Sequence, residues 1–391
     1  MIKVGILFDA PIEYSGGLNY FRNLLYALSL VNDDSVRPYI FFTYDVSDNI
    51  VAEFSPLATV VRTKLLQRRT MLWFANKLFS NIFGSMFLIN VLLKSHGINV
   101  LSHIWFHYKG RIQIPIIGWI PDFQSLHLPQ LFPENFPAKE RKENQRIISQ
   151  CDIIILSSNN ALRDFNEIAE SKYQHRGRVL QFVSQPDTRG LTHGISRENL
   201  EKKYVINGQY FFLPNQFWAH KNHMVVLDSV RILKEAGINI LVVCTGNTQD
   251  YRIDGTRYID SIHAYIKTHG LNENIKILGL IDYEDVLSLM RNSLAVINPS
   301  YFEGWSSSVE EAKSMGKAVI LSKIDVHIEQ NPINGRYFDP DNAVELSQIL
   351  SDFWMVSTDA SFDVDDDVAR ALLRERTLYF GQSYLELLKS V

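Results

Sequence analysis

Between Asn298 and Ile320 the chain reads NPSYFEGWSSSVEEAKSMGKAVI, which places two carboxylates, a glycine and three consecutive serines beside an apolar run. The segment LAVINPS has the character of a strand ending in a polar turn, and a helix is expected to start near Ser307. Gly304 lets the backbone turn tightly. Ser306 to Ser308 then offer hydroxyls and amides where a helix start leaves N–H groups unpaired, the chemistry of an anion site. Glu303 sits in the turn and Glu311 in the first or second turn of the helix, so both can face one cleft. Carboxylates accept hydrogen bonds from vicinal hydroxyls. A diphosphate held between two hydroxyl-rich groups answers all of these features, and a nucleotide sugar is the obvious ligand. A surface helix cap is the plain structural alternative.

Two further stretches carry compatible chemistry. In FFLPNQFWAHKNHMVVLDSVRIL, Lys221 follows a strand and precedes an amphipathic helix, where a point charge can neutralise a departing phosphate. Asn215, Gln216 and Asn222 add neutral donors nearby. In IKILGLIDYEDVLSLMRNSLAVI, Gly279 lies in a strand-to-helix turn where a flat base can approach the backbone.

The elements that must position these residues alternate short β-branched runs with helical stretches, the pattern of βαβ units and parallel sheets. IKVGILF, PYIFFTY, INVLSHI, IPIIGWI, DIIILSS and RVLQFV are the expected strands of the first half; YFFLPN, NILVVCTG, NIKILGL, LAVINPS and AVILSK are those of the second. The polar stretch Ser184 to Leu200 reads as the domain junction. This predicts an α/β fold with a first domain over 1–187, a second over 188–367, and a final helix, about 368–391, packed back on the first. The acidic run FDVDDD (Phe362 to Asp367) reads as a loop and helix cap rather than a cation site.

Bulk composition narrows the function. The 391 residues are 46% hydrophobic and 21% charged, ordinary values for a globular protein of two domains. A net charge of −4 supplies no global basic field for nucleic acid. Cys151 and Cys244 lie far apart beside apolar runs and read as buried, reduced thiols. No secretory signal precedes the first strand, so a cytoplasmic protein is expected. The most apolar stretch, Met71 to Leu93, contains Asn76, Lys77, Ser80, Asn81 and Asn90 and reads as a buried helix of the first domain. The basic cluster Arg62, Lys64, Arg68 and Arg69 just before it is also compatible with an anionic membrane surface.

With these residues in view, the chain resembles the retaining GT-B glycosyltransferases of the "glycosyl transferases group 1" family. EGWSSSVEEAKSMGKAVILS is similar to the family's E-G-F-G-x-x-x-x-E-A signature, and GRYFDPDNAVELSQIL to its G-x-x-F-D-P-x-D segment. The resemblance is strong over most of 205–350 and loose in the first half, through YSGGLNYFRNLLYAL and GWIPDFQSLHLPQLFP. It implies two Rossmann-like doubly wound domains facing a cleft, with the donor on the second and the acceptor on the first. Carried over, Glu303 touches donor sugar hydroxyls, and the amides of Gly304, Trp305, Ser306 and Ser307 touch sugar or phosphate. Glu311 holds the ribose, Lys221 the diphosphate, and Gly16 and Gly17 approach the same phosphate. Asp122 joins Lys221 and Glu303 in the catalytic set.

Two positions depart from the pattern. Gln216 stands where many relatives have an arginine, and Pro121 where many have a histidine before Asp122. His127 or His107 is a substitute for the latter, with a structural role the plainer reading of either. In a retaining front-face displacement the leaving diphosphate itself can take the acceptor's proton, so the chemistry survives this loss. No D-x-D context in either strand-end loop calls for a metal, and no cofactor beyond the nucleotide-sugar donor is expected. The resulting expectation is sugar transfer to a hydroxyl acceptor, a glycan or lipid-linked glycan of bacterial surface polysaccharide assembly, with peripheral membrane association compatible. A GT-B sugar-nucleotide epimerase and a silent nucleotide-sugar-binding subunit are the alternatives.

Overall fold

A computed structural model describes residues 1–8, 15–67, 70–105, 110–186, 196–250, 255–355 and 362–391. His107, Arg68, Arg69 and the middle of the expected domain junction, 187–195, lie outside the described residues. The chain forms two compact units: Met1–Phe123, Ala138–Val183 and Glu375–Val391 make one, Gln124–Pro137 and Ser184–Arg374 the other. The first unit is therefore not the continuous 1–187. Gln124–Pro137 groups with the second unit, where the His127 ring lies 5.1 Å from that of Phe302.

The first unit is built on seven parallel strands: β1 (Ile2–Leu7), β2 (Val36–Phe42), β3 (Thr59–Arg62), β4 (Val100–Ile104), β5 (Ile116–Ile120), β6 (Ile153–Leu156) and β7 (Gly177–Val179). Their order is β3-β2-β1-β4-β5-β6-β7. β4, β5 and β6 are buried along their whole length, which is why they read as continuous apolar runs rather than alternating ones. β3 was not anticipated. Its sequence TVVR is β-branched but short, and it pairs with β2 alone at the sheet edge.

The second unit has six parallel strands: β8 (Phe211–Leu213), β9 (Val242–Thr245), β10 (Ile275–Gly279), β11 (Val296–Asn298), β12 (Val319–Ser322) and β13 (Gly335–Phe338). The order is β10-β9-β8-β11-β12-β13, so the winding direction reverses between β8 and β11. Ligands of open α/β sheets bind outside the carboxyl ends of strands at such a reversal. β13 is an added edge strand within GRYF, read from sequence only as a motif.

The long final helix, Asp366–Lys389, begins where Asp365 Oδ1 accepts hydrogen bonds from the amides of Asp367 and Val368. Asp363 accepts from Lys317 Nζ and from the Ala318 amide. The acidic run thus anchors a helix start and a neighbouring strand. From Glu375 onward the helix belongs to the first unit, where buried Tyr384 donates to Ser102 Oγ at 2.9 Å. Both cysteines are free and buried, and burial pushes their thiols up to about 12.

One expectation is overturned. Met71 to Leu93 is two helices, Met71–Phe83 and Phe87–Ser95, parted at Gly84 in the left-handed conformation. The second buries Ile89 and Leu93, but the first turns its polar Asn76 and Ser80 inward and leaves Met71, Phe74, Leu78, Ile82 and Phe83 exposed. Apolar content alone had argued for burial; the helix is amphipathic in the opposite sense.

Within the first unit, Gly381 marks a close helix approach: a Cβ there would stand 2.3 Å from the Ala27 carbonyl oxygen. Gly381→Leu is expected to lower stability by about 1 to 3 kcal/mol through overpacking, measured by urea denaturation.

Candidate functional site

The loops that leave β8 and β11 flank the reversal of the second sheet, and they are joined to each other. The amide of Tyr301 donates to the carbonyl of His220 at 2.8 Å, and Asn215 Nδ2 donates to Asn298 Oδ1 at 3.0 Å. Asn298, the last residue of β11, is fully buried and organises the turn. Its Nδ2 donates to Ser306 Oγ at 2.8 Å and reaches Glu303 Oε1 at 3.3 Å. Ser300 Oγ lies 2.7 Å from both Asn298 Oδ1 and Glu303 Oε1, and its single proton serves one of them at a time.

Lys221 and Glu303 meet in this framework. Lys221 Nζ is 2.7 and 2.8 Å from the two carboxylate oxygens, with both side chains almost wholly buried. Burial by itself raises the Glu303 carboxyl; the Lys221 charge and the hydrogen bonds from Lys221 and Ser300 outweigh it, and the net shift is downward. Glu303 is therefore an anion at neutral pH. Lys221 closes a short 3-10 turn, Ala219–Lys221, that precedes the helix His223–Glu235.

Ser306 caps the helix Ser307–Ser314, its hydroxyl accepting from the Val309 amide. Gln330, from the helix Asp325–Gln330, clamps this cap. Its Oε1 accepts from the Ser306 amide, and its Nε2 donates to the Ser306 carbonyl at 3.0 Å and to Glu310 Oε1 at 3.1 Å. Buried Glu310 also pairs with Lys313 at 3.0 Å. Gly304 and Trp305 are half-buried and Ser307 exposed, so this helix start meets solvent while its supports do not. Glu311 is buried and accepts a hydrogen bond from Tyr283, the first residue of the helix Tyr283–Asn292, at 2.5 Å.

The structure thus draws Lys221, Glu303, Asn215 and Ser306 into one connected network, with Gly304, Trp305 and Ser307 on its solvent side. The neutral amides hold this framework together: Asn215 donates to Asn298, and Asn222 Nδ2 donates to the Pro340 carbonyl. Gln216 Oε1 accepts from the Asn247 amide. Gly279 ends β10 with φ of +70°, and its carbonyl accepts from the Gly246 amide. A Cβ at Gly246 would stand 2.4 Å from the Asn215 carbonyl oxygen, so the β9 turn can lie against the β8 loop only as glycine. Gly16 and Gly17 occupy the first turn of the helix Ser15–Val31 in the first unit, and Asp122 is half-buried just beyond β5 in the same unit. His127 is exposed at the Phe302 ring.

Sequence reasoning did not single out Asn298, Ser300, Tyr283, His327 or Gln330. Asn298 and Ser300 stood in the quoted strand end, where a polar pair inside LAVINPS was the available signal. Gln330 and Tyr283 reach the helix Ser307–Ser314 from other helices, and no local pattern announces them. His327 is fully buried beside the turn; its Nδ1 lies 2.9 Å from the Ser322 carbonyl and Nε2 has no partner.

Two parallel α/β sheets, of seven and six strands, are the fold shared with solved GT-B glycosyltransferase structures. Residues 196–354 match the family model described as "Glycosyl transferases group 1". A curated relative is 29% identical over 159 residues: N,N'-diacetylbacillosaminyl-diphospho-undecaprenol alpha-1,3-N-acetylgalactosaminyltransferase of Campylobacter jejuni. That match covers 39% of this chain and spans only 36% of the relative. Among solved structures, Alr3699/HepE of Anabaena in complex with UDP-glucose is similar over 100% of both chains, with a TM-score of 0.66 and 14% identity. A glycosyltransferase of Rickettsia africae gives a TM-score of 0.65 at 16% identity, over 100% of this chain and 98% of its own.

Burial holds His103 and His223 down to about 3, and burial, partly offset by the Glu303 charge, holds His327 to about 4. Each binds its proton in the unfolded chain near 6.5 but not in the folded one, so stability is expected to fall as pH drops from about 6.5 toward 4, by up to about 1.4 kcal/mol per pH unit and histidine. Urea denaturation between pH 7 and pH 4.5 checks this, and His327→Gln should make the decline shallower.

Proposed function

We propose that this protein is a retaining glycosyltransferase that moves a sugar from a nucleotide-diphosphate donor to a hydroxyl of a glycan or lipid-linked glycan in bacterial surface polysaccharide assembly. The observation that carries the reading is the buried Lys221–Glu303 pair beside a solvent-facing helix start at the reversal of the second sheet. The lysine supplies the positive charge a departing diphosphate needs, and the amides around Ser307 add donors of the same sense. Glu303 holds Lys221 in place before donor binds and offers acceptor oxygens to sugar hydroxyls. Tyr283 aligns the Glu311 carboxylate for the vicinal hydroxyls of a ribose.

In this reading no cofactor enters the chemistry, since the nucleotide sugar is itself the substrate. The C–O bond to the diphosphate breaks, the acceptor oxygen bonds to the same face of the anomeric carbon, and the leaving diphosphate takes the acceptor's proton. Retention follows from that single-faced exchange. Support for the acceptor class comes from the relative named for an undecaprenol-linked substrate, and support for the donor from the neighbour solved with UDP-glucose. Asp122, Gly16 and Gly17 belong to the other unit, and their part rests on the family resemblance alone. A cytoplasmic location belongs to the same proposal, supported by the two reduced, buried cysteines.

Incubation of the purified protein with a panel of nucleotide sugars is the direct test. Slow release of free sugar supports transfer, an altered sugar nucleotide supports an epimerase, and binding without turnover a silent subunit. Lys221→Ala is expected to reduce turnover at least tenfold, a loss of about 1.4 kcal/mol or more of transition-state stabilisation; a near-normal rate removes the leaving-group role. Glu311→Ala is expected to weaken nucleoside diphosphate affinity by about 1 to 3 kcal/mol, read by calorimetry. Unchanged affinity would refute the ribose contact.

A further inference from the structure

The helix Met71–Phe83 has its apolar face outward. At 100° per residue Met71, Phe74, Leu78 and Ile82 fall within an arc of about 80°, with Asn76 and Ser80 on the opposite side. Relative exposures of 89% for Met71, 62% for Ile82 and 58% for Leu78 leave most of each side chain in solvent. The patch continues into the next helix, where the Phe87 ring lies 5.9 Å from that of Phe79. A contiguous apolar face of this kind on a soluble domain marks a surface that something covers.

Charge decides what covers it. Residues 54–121 contain eight Lys or Arg and no Asp or Glu, while the other 323 residues carry 31 basic and 43 acidic side chains. Around the helix, Lys77 flanks the apolar arc with Nζ 4.9 Å from the Trp73 ring centre, and Lys94 of the following helix is exposed. Exposed Lys64 sits at the helix start, its carbonyl accepting from the capping hydroxyl of Thr70. A second copy docking face to face would set two acid-free basic regions against each other, which disfavours self-association through this surface. A negatively charged lipid surface satisfies both the apolar arc and its basic rim. The helix spans about 20 Å at 1.5 Å per residue, so it suits lying in an interface rather than crossing one. No helix among the described residues is long and apolar enough to cross a membrane.

We propose that the helix Met71–Phe83 is a membrane-docking element that inserts its Met71, Phe74, Leu78 and Ile82 face into the surface of a bilayer rich in anionic phospholipid. This inference is independent of the transfer reading, because it is scored without donor or acceptor. The test is sedimentation of the full chain with vesicles of phosphatidylcholine alone or mixed with phosphatidylglycerol. The expected result is binding to the mixed vesicles that weakens as salt rises. A triple variant, Phe74→Ser with Leu78→Ser and Ile82→Ser, should bind at least tenfold less while melting at the wild-type temperature, since all three side chains are exposed. Lys64→Ala with Lys77→Ala should bind less and lose part of the salt dependence. Failure of the wild type to bind mixed vesicles, equal binding by the triple variant, or a solution dimer dispersed by that variant would each overturn the proposal.

Discussion

The constraint on which the second unit depends is a charge pair held out of water. Removing Lys221 and Glu303 from solvent is costly, and a buried ion pair recovers that cost only when its remaining lone pairs and protons are also satisfied. Here the satisfaction comes from Ser300 and Asn298, which are in turn fixed by Asn215 across the β8–β11 boundary. The pair is thus a poor stability device and a good way to keep a cation at one point. That point is where the winding of the sheet leaves strand ends open to a ligand.

Around this pair the polar groups divide into supports and working surfaces. Gln330 ties the cap residue Ser306 to Glu310, so the orientation of the helix Ser307–Ser314 is set from behind by buried donors and acceptors. Tyr283 does the same for Glu311. Fully satisfied buried networks of this type are rigid, and rigidity is what an anion-binding helix start needs if its amides are to stay aimed. Asn215 and Asn222 belong with the supports, since their donors are engaged inside the protein.

The first unit shows a different physical division. Its sheet core is conventional, but basic charge and outward apolar side chains are concentrated in the same stretch of chain, against an acidic remainder. Burying Asn76 and Ser80 while exposing Leu78 and Ile82 runs against the usual direction of hydrophobic burial. Such an inversion is tolerated when the exposed face has a partner of its own to cover it.

The sequence by itself determined the alternation of strand and helix, eleven of the thirteen strands among the described residues, the helix start at Ser307 and the placement of Lys221 before a helix. These are local properties: β-branched runs, capping residues and turn glycines act over a few neighbours. It missed β3 and β13, edge strands too short to carry a period of their own. Tertiary structure alone decided that the Lys221 and Glu303 loops adjoin, that Gln330 and Tyr283 reach the helix Ser307–Ser314, and that Gln124–Pro137 joins the second unit. It also decided which side of Met71–Phe83 faces outward, because nine of its thirteen residues are apolar and such a composition does not mark which face meets the body until the rest of the chain has packed against it.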